Sequence, residues 1–230
     1  MSEEKMSEDL SNYSTEELIR LARGTAESSH GLSYKATEQA IGRWREGVDL
    51  EDLVKLIESE KSDDRIAGAY YLNEVSKDFV ILKIAAIKLS RDALSTCRRA
   101  FVLYITTSGY YDEELAELLV KCLLDLDLYV RVSTIKWAMS SSQEVFLDFS
   151  KRVESGTGRP GPKFSNPLSN DFWNSSNRNR ALRGIEIARR FRLGEEIGVI
   201  RKSVIGEDSF IFDSIEFSNT TRERYARWKK

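Results

Sequence analysis

The stretch DLYVRVSTIKWA, residues 127–138, sets a permanent charge, Arg131, into an apolar helical pattern. The guanidinium keeps its proton at any physiological pH, so burial does not discharge it. A large aromatic residue, Trp137, follows six positions later. Because a buried guanidinium needs hydrogen-bond acceptors, Arg131 either serves the scaffold or faces a ligand.

The same combination of residues recurs at a fixed interval along the chain. Three arginines lie 33 residues apart, and each is followed at plus six by a large aromatic: Arg65 with Tyr71, Arg98 with Tyr104, and Arg131 with Trp137. Apolar residues align in the same register, both after each arginine and in the helix before it. A pair of helices cannot bury its apolar faces alone, so repeated pairs are expected to stack into a solenoid with one continuous core.

The residues around these arginines are similar to those of a known repeat family. Asp127, Val130 and Arg131 match the second helix of a HEAT repeat, which typically opens with an aspartate, then a Val-Arg pair, then small residues. Cys97 stands where the valine belongs before Arg98. The resemblance covers residues 49–140 and implies an all-α, right-handed α-α superhelix. It also implies that the arginine of one repeat bonds an aspartate of its neighbour, which makes Arg65, Arg98 and Arg131 scaffold residues.

The pattern predicts a single α-solenoid domain over residues 1–230. Its expected parts are an irregular N-terminal helical pair (1–48), three regular 33-residue repeats (49–141), a last pair (142–192) and a C-terminal cap with a basic tail (193–230). Residues 155–177 interrupt the last pair and contain all three prolines, so they are expected to form a long loop insertion. Phe164, Phe172 and Trp173 are aromatic residues within it. The segment after it is predicted to be short and irregular, with one more helix and a strand or turn.

Composition excludes several classes of protein. With 230 residues, 41% hydrophobic and 31% charged, the chain can bury a substantial core. No apolar run reaches the roughly 18 residues of a membrane span, and the N-terminus is acidic, so a cytoplasmic location without membrane contact is predicted. Charge is uneven: residues 1–64 have 8 Lys and Arg against 16 Asp and Glu, whereas residues 151–230 have 17 against 10.

Residues suited to catalysis are scarce. His30 is the only histidine, in a stretch predicted to be a loop, and Cys97 and Cys122 form no CxxC motif. One histidine and two separated cysteines are too few for a zinc site, so the cysteines are interpreted as buried thiols. The glycine-rich GTGRPG stretch lacks the strand and helix of a phosphate-binding loop. No catalytic residue, metal or cofactor is predicted.

The remaining function is binding, and the sequence favours a protein partner. The most specific hypothesis is a bacterial immunity or inhibitor protein that neutralises a toxin, with the acidic N-terminal half facing a basic nuclease toxin. The candidate partner-binding residues are Glu51, Asp52, Glu58, Asp63, Asp64, Tyr70, Arg99, Tyr110, Tyr111, Lys136, Phe172 and Trp173.

Two other classes stay open. The second helices collect cations, as in the HEAT-like alkylpurine DNA glycosylases, which bind DNA in such a groove. That family is expected to show a Trp-Asp dipeptide, and none of Trp44, Trp137, Trp173 or Trp228 is followed by Asp. An adaptor or a chaperone- or lyase-type HEAT protein is the third hypothesis.

Overall fold

A computed structural model describes residues 9–24, 30–75, 79–156 and 167–203, and for His30 and residues 167–177 it describes the backbone alone. Within these ranges the regular structure is entirely helical, which confirms the all-α fold class. The helices are α1 (Thr15–Ala22), α2 (His30–Arg45), α3 (Leu50–Ile57), α4 (Ser62–Val75), α5 (Val80–Leu89), α6 (Ser95–Ser108), α7 (Glu113–Leu123), α8 (Leu128–Ser140), α9 (Gln143–Glu154), α10 (Pro167–Arg192) and α11 (Ile197–Ser203). None of them is long and apolar enough to cross a membrane.

Two predictions about loops need correction. Residues 167–177, expected to belong to the loop insertion at 155–177, are helical, because α10 begins at Pro167. Proline suits the first helical position, where its fixed φ is helical and its missing N–H would have no partner. His30 is the first residue of α2, not part of a loop. Phe164 and the predicted strand or turn near the C-terminus lie outside the described residues.

The helix starts follow from local side chains. At α1 the side chains form a capping box, since Ser14 accepts from the Glu17 N–H while the Glu17 carboxylate accepts from the Ser14 N–H. Asp112 and Asp127 accept first-turn N–H groups in the same way at α7 and α8. These contacts satisfy first-turn N–H groups and favour a helix start at each of the three positions.

The chain divides into two compact units, Met1–Leu89 and Ser90–Lys230. In the N-terminal unit, α2 packs against α4, and α3 packs against both α4 and α5. In the C-terminal unit, α8 lies between α6 and α10, and α7 contacts α9. Within each unit the first helices of successive pairs therefore contact each other, as α3 and α5 or α7 and α9 do. The second helices do the same, as α2 and α4 or α6 and α8 do. The single-domain organisation stays a prediction.

Large side chains fill the core of each unit. Trp44 and Leu72 have no exposed surface in the N-terminal unit, and neither do Tyr104 and Phe149 in the C-terminal one. Cys122 is buried as well, and burial raises the pKa of its thiol to about 12. A thiol that stays protonated at neutral pH is a poor nucleophile, consistent with a packing role.

Gly68 lies where α3 and α4 approach each other closely. A Cβ built on Gly68 would lie 2.9 Å from both the backbone nitrogen and Cγ1 of Ile57. Gly68→Ala is therefore expected to separate the helices and lower the free energy of unfolding by about 1–3 kcal/mol. A Cβ on Gly42, within α2, would meet nothing within 4 Å. Gly42→Ala should instead raise stability by up to about 1 kcal/mol through helix propensity. Urea titration of both variants checks this, and equal shifts in one direction would refute the close contact.

Candidate functional site

The three repeat arginines share one hydrogen-bonding geometry. In each, Nη1 donates to the backbone carbonyls six and five positions earlier, in the turn before the helix. The bonds run from Arg65 to Ser59 (3.0 Å) and Glu60 (2.8 Å), from Arg98 to Asp92 and Ala93 (2.8 Å each), and from Arg131 to Asp125 (2.7 Å) and Leu126 (3.0 Å). Each guanidinium thereby fastens a helix to the turn that leads into it.

Arg98 also bonds an aspartate of the following helix pair. Its Nε and Nη2 donate to the two carboxylate oxygens of Asp125 at 2.6 and 2.8 Å. The two side chains are 18% and 9% exposed, and the hydrogen bond to Asp125 raises the pKa of Arg98. Asp125 accepts from the Asp127 N–H as well, so one carboxylate joins Arg98 to the start of α8. The hydrogen bonds of the Arg98 guanidinium therefore stabilise the scaffold.

The neighbouring Arg99 points to a different surface. Arg99 and Leu103 lie one turn apart on α6 and are exposed, and Tyr129 on the adjacent α8 is 55% exposed. The Arg99 Cζ atom is 5.9 Å from the centre of the Tyr129 ring, within the range of a cation–π contact. Lys136 lies two turns after Tyr129 on the same side of α8. We call these four residues, Arg99, Leu103, Tyr129 and Lys136, the α6–α8 face.

Two like charges meet on this face. Lys136 is half-buried, and burial together with the charge of Arg99 lowers the pKa of its ammonium. Within the described part of the chain neither cation has a carboxylate partner, whereas Arg98, Arg152 and Arg189 of the same unit each pair with one. The structure thus brings together two predicted binding residues, Arg99 and Lys136, whose charge no carboxylate of the described residues compensates.

The other aromatic candidates take other positions. Tyr70 is 56% exposed on α4 of the N-terminal unit, with its ring edge against Tyr71. Tyr110 packs 6.4 Å from Tyr104. Tyr111 stacks on Trp137 with ring centres 5.8 Å apart. For Phe172 and Trp173 the structure gives a place on the α10 backbone, and their side chains lie outside the described residues.

Tyr111 is further held by a hydrogen bond to α9. Its hydroxyl donates to Asp148 Oδ2 at 2.6 Å, and Arg152 donates to the same oxygen at 2.7 Å. These bonds lower the pKa of Asp148 below its ordinary value of 3.8, while burial raises the pKa of Tyr111. Tyr111 is therefore tied into the scaffold of the C-terminal unit.

Removing the Tyr111 hydroxyl tests this bond. In Tyr111→Phe the pKa of Asp148 should rise towards 3.8, since the first of its two stabilising donors is lost. A carboxyl with a lowered pKa stabilises the fold fully above its unfolded pKa, and that contribution disappears as pH falls through the folded pKa. Carboxyl NMR titration measures the shift, with Glu17, held by Ser14, as an internal reference that should not move. An unchanged Asp148 pKa would refute the hydrogen bond.

Most of the acidic candidates are ion-paired within the N-terminal unit. Asp52 pairs with Lys55 at 2.8 Å, Glu58 with Lys88, and Asp64 with Arg23 at 2.9 Å. Glu51 and Asp63 are exposed, and neither has an ion pair among the described residues. These two are the acidic candidates with their full charge open to a partner.

Two residues of the α6–α8 face were not predicted from the sequence, although a signal was present for both. In the 33-residue register Leu103 falls between Tyr70 and Lys136, both of which were predicted, so the repeat alone points to it. Tyr129 lies seven residues before Lys136, a spacing that puts both on one side of a helix. The 33-residue repeat therefore indicates which exposed residues share a surface, as well as which residues form the core.

Comparison with known proteins adds no further constraint. No family model matches the chain, and no curated protein or solved structure matches it. Among the described residues, no three His, Cys, Asp or Glu side chains group so as to hold a metal ion.

Proposed function

We propose that this chain is a non-catalytic protein-binding protein whose α6–α8 face contacts the partner. The observation that carries the proposal is an exposed tyrosine and leucine beside two cations that lack a carboxylate among the described residues. Tyrosine and arginine are, with tryptophan, the residues enriched at the energetic centres of protein interfaces.

The proposed architecture is a HEAT-like solenoid in which the helical pairs follow a right-handed superhelix. Within each unit, second helices neighbour second helices, as α6, α8 and α10 do. The repeated bonds from Arg65, Arg98 and Arg131 to the preceding turn support equivalent pairs. In a solenoid of this type, the second helices of the pairs lie side by side and form an extended binding surface.

Within this class, we propose a cytoplasmic inhibitor of the immunity type, which neutralises a toxin by covering it. The proposal rests on the charge gradient of the chain, since the acidic N-terminal half would favour association with a basic nuclease toxin. Glu51 and Asp63 are the exposed acidic candidates for that contact. An adaptor or a chaperone- or lyase-type protein would use the same scaffold with a different partner.

A second candidate function is binding of nucleic acid. Arg99 and Lys136 support it, because two cations without a carboxylate partner among the described residues can neutralise two phosphates. This arrangement favours DNA binding as such and says nothing of glycosylase chemistry, for which the Trp-Asp motif is missing.

Affinity purification of the tagged full chain from its native host tests the proposed function. We expect one protein to be retained in a stoichiometric complex, and Tyr129→Ala to lose it because the central aromatic of the face is removed. Tyr34→Ala is the matched control, since Tyr34 is 66% exposed on α2 of the other unit. Recovery of nucleic acid without a protein, or equal recovery with both variants, would contradict the proposal.

A further inference from the structure

The charge of the α6–α8 face defines the chemistry of what it binds. Arg99 and Lys136 are close enough for the charge of Arg99 to lower the Lys136 pKa. The Lys136 ammonium is partly removed from water without gaining a carboxylate among the described residues. A partner that supplies negative charge relieves both the repulsion and the lost hydration, so this face is electrostatically complementary to an acidic group.

The remaining surface of the face is apolar. Leu103 is 37% exposed, and the Tyr129 ring, 55% exposed, lies under the Arg99 guanidinium. Surfaces that track a nucleic-acid backbone are much more positive and more polar than this. A peptide with both carboxylates and apolar side chains fits the mixture better than a chain of phosphates.

We infer that the α6–α8 face binds an acidic segment of a protein partner, with carboxylates against Arg99 and Lys136 and apolar side chains against Leu103 and Tyr129. The inference rests on the proposed protein-binding function and specifies the partner's chemistry at this face. In this contact the cations of the C-terminal unit meet carboxylates of the partner. It is separate from any contact that Glu51 and Asp63 make in the N-terminal unit.

Fluorescence anisotropy with defined probes tests the inference. The full chain is titrated with a short fluorescein-labelled peptide of alternating Glu and Leu, with the same peptide carrying Gln for Glu, and with a short labelled DNA duplex. We expect the Glu peptide to bind and the Gln peptide to bind at least about tenfold more weakly, because only the first offers charge to the two cations.

A double variant and a matched control locate the contact. Arg99→Gln with Lys136→Gln should weaken the Glu peptide about tenfold. Lys121→Gln with Lys151→Gln removes the same charge from exposed positions of α7 and α9 and should leave binding unchanged. Both double variants keep the core intact, which circular dichroism verifies before titration.

The outcomes separate this inference from the proposed function. Equal loss in both double variants, no binding of the Glu peptide, or tighter binding of the duplex that depends on Arg99 and Lys136 would each overturn the inference. If the native partner is still retained by Arg99→Gln with Lys136→Gln, the acidic-segment inference fails while protein binding stands. If no protein is retained by the unaltered chain, the proposed function itself fails.

Discussion

Asp125→Ala should lower the free energy of unfolding of the C-terminal unit by about 3 kcal/mol, because it leaves a largely buried guanidinium without its carboxylate. Arg98 is 18% exposed and Asp125 9%, so little water is available to replace the lost partner. The Asp127 N–H at the start of α8 loses an acceptor in the same substitution. Urea or thermal unfolding measures the change.

Glu186→Ala is the matched control for Asp125→Ala. Arg189 Nη1 lies 2.6 Å from the Glu186 carboxylate, the same distance as in the Arg98–Asp125 pair, but the two side chains are 40% and 52% exposed. An exposed pair contributes little, so this variant should change stability by less than about 0.5 kcal/mol. If both variants lose the same free energy of unfolding, burial does not determine the strength of the Arg98–Asp125 ion pair.

The second large effect concerns the aromatic residue that follows Arg131. Trp137 is 4% exposed, stacks on Tyr111 and meets Phe149 edge to face at 4.9 Å. Trp137→Ala should cost about 3–5 kcal/mol through lost burial and the cavity that remains. Calorimetric unfolding should show a lower midpoint and a lower enthalpy.

Tyr129→Ala provides the comparison on the same helix. Tyr129 is 55% exposed, so its removal should change stability by no more than about 0.5 kcal/mol. A cost comparable to that of Trp137→Ala would mean that Tyr129 supports the fold, and it would remove the reason for placing it at a binding face.

Most of the helical architecture could be predicted from the sequence, because the relevant signals are local. Apolar periodicity and the caps at Ser14, Asp112 and Asp127 define most helix bounds to within a few residues. The start of α10 could not be predicted, since Ser and Asn are abundant in residues 165–177 and favour turns and caps over helix interiors. The later part of α10 follows the apolar pattern, and its Ala181, Ile185 and Ala188 are buried.

The candidate site was predictable in part. The 33-residue register separated the scaffold arginines from Arg99 and Lys136, and the repeat spacing points to Leu103. The choice of Asp125 over Asp127 as the partner of Arg98 depends on how the α7–α8 turn folds, which spacing alone leaves open. The burial of Lys136 and its proximity to Arg99 depend on the packing of α6 against α8.

We infer that two adjacent arginines of α6 have different roles: Arg98 stabilises the scaffold, and Arg99 binds the partner. The most direct test measures unfolding free energy and affinity for the Glu/Leu peptide in Arg98→Gln and Arg99→Gln. We predict that Arg98→Gln loses about 2–3 kcal/mol of stability and, where still folded, binds the peptide as tightly as the unaltered chain. Arg99→Gln should keep its stability within about 0.5 kcal/mol and bind the peptide several-fold more weakly. Loss of both properties in one variant and of neither in the other would contradict the claim.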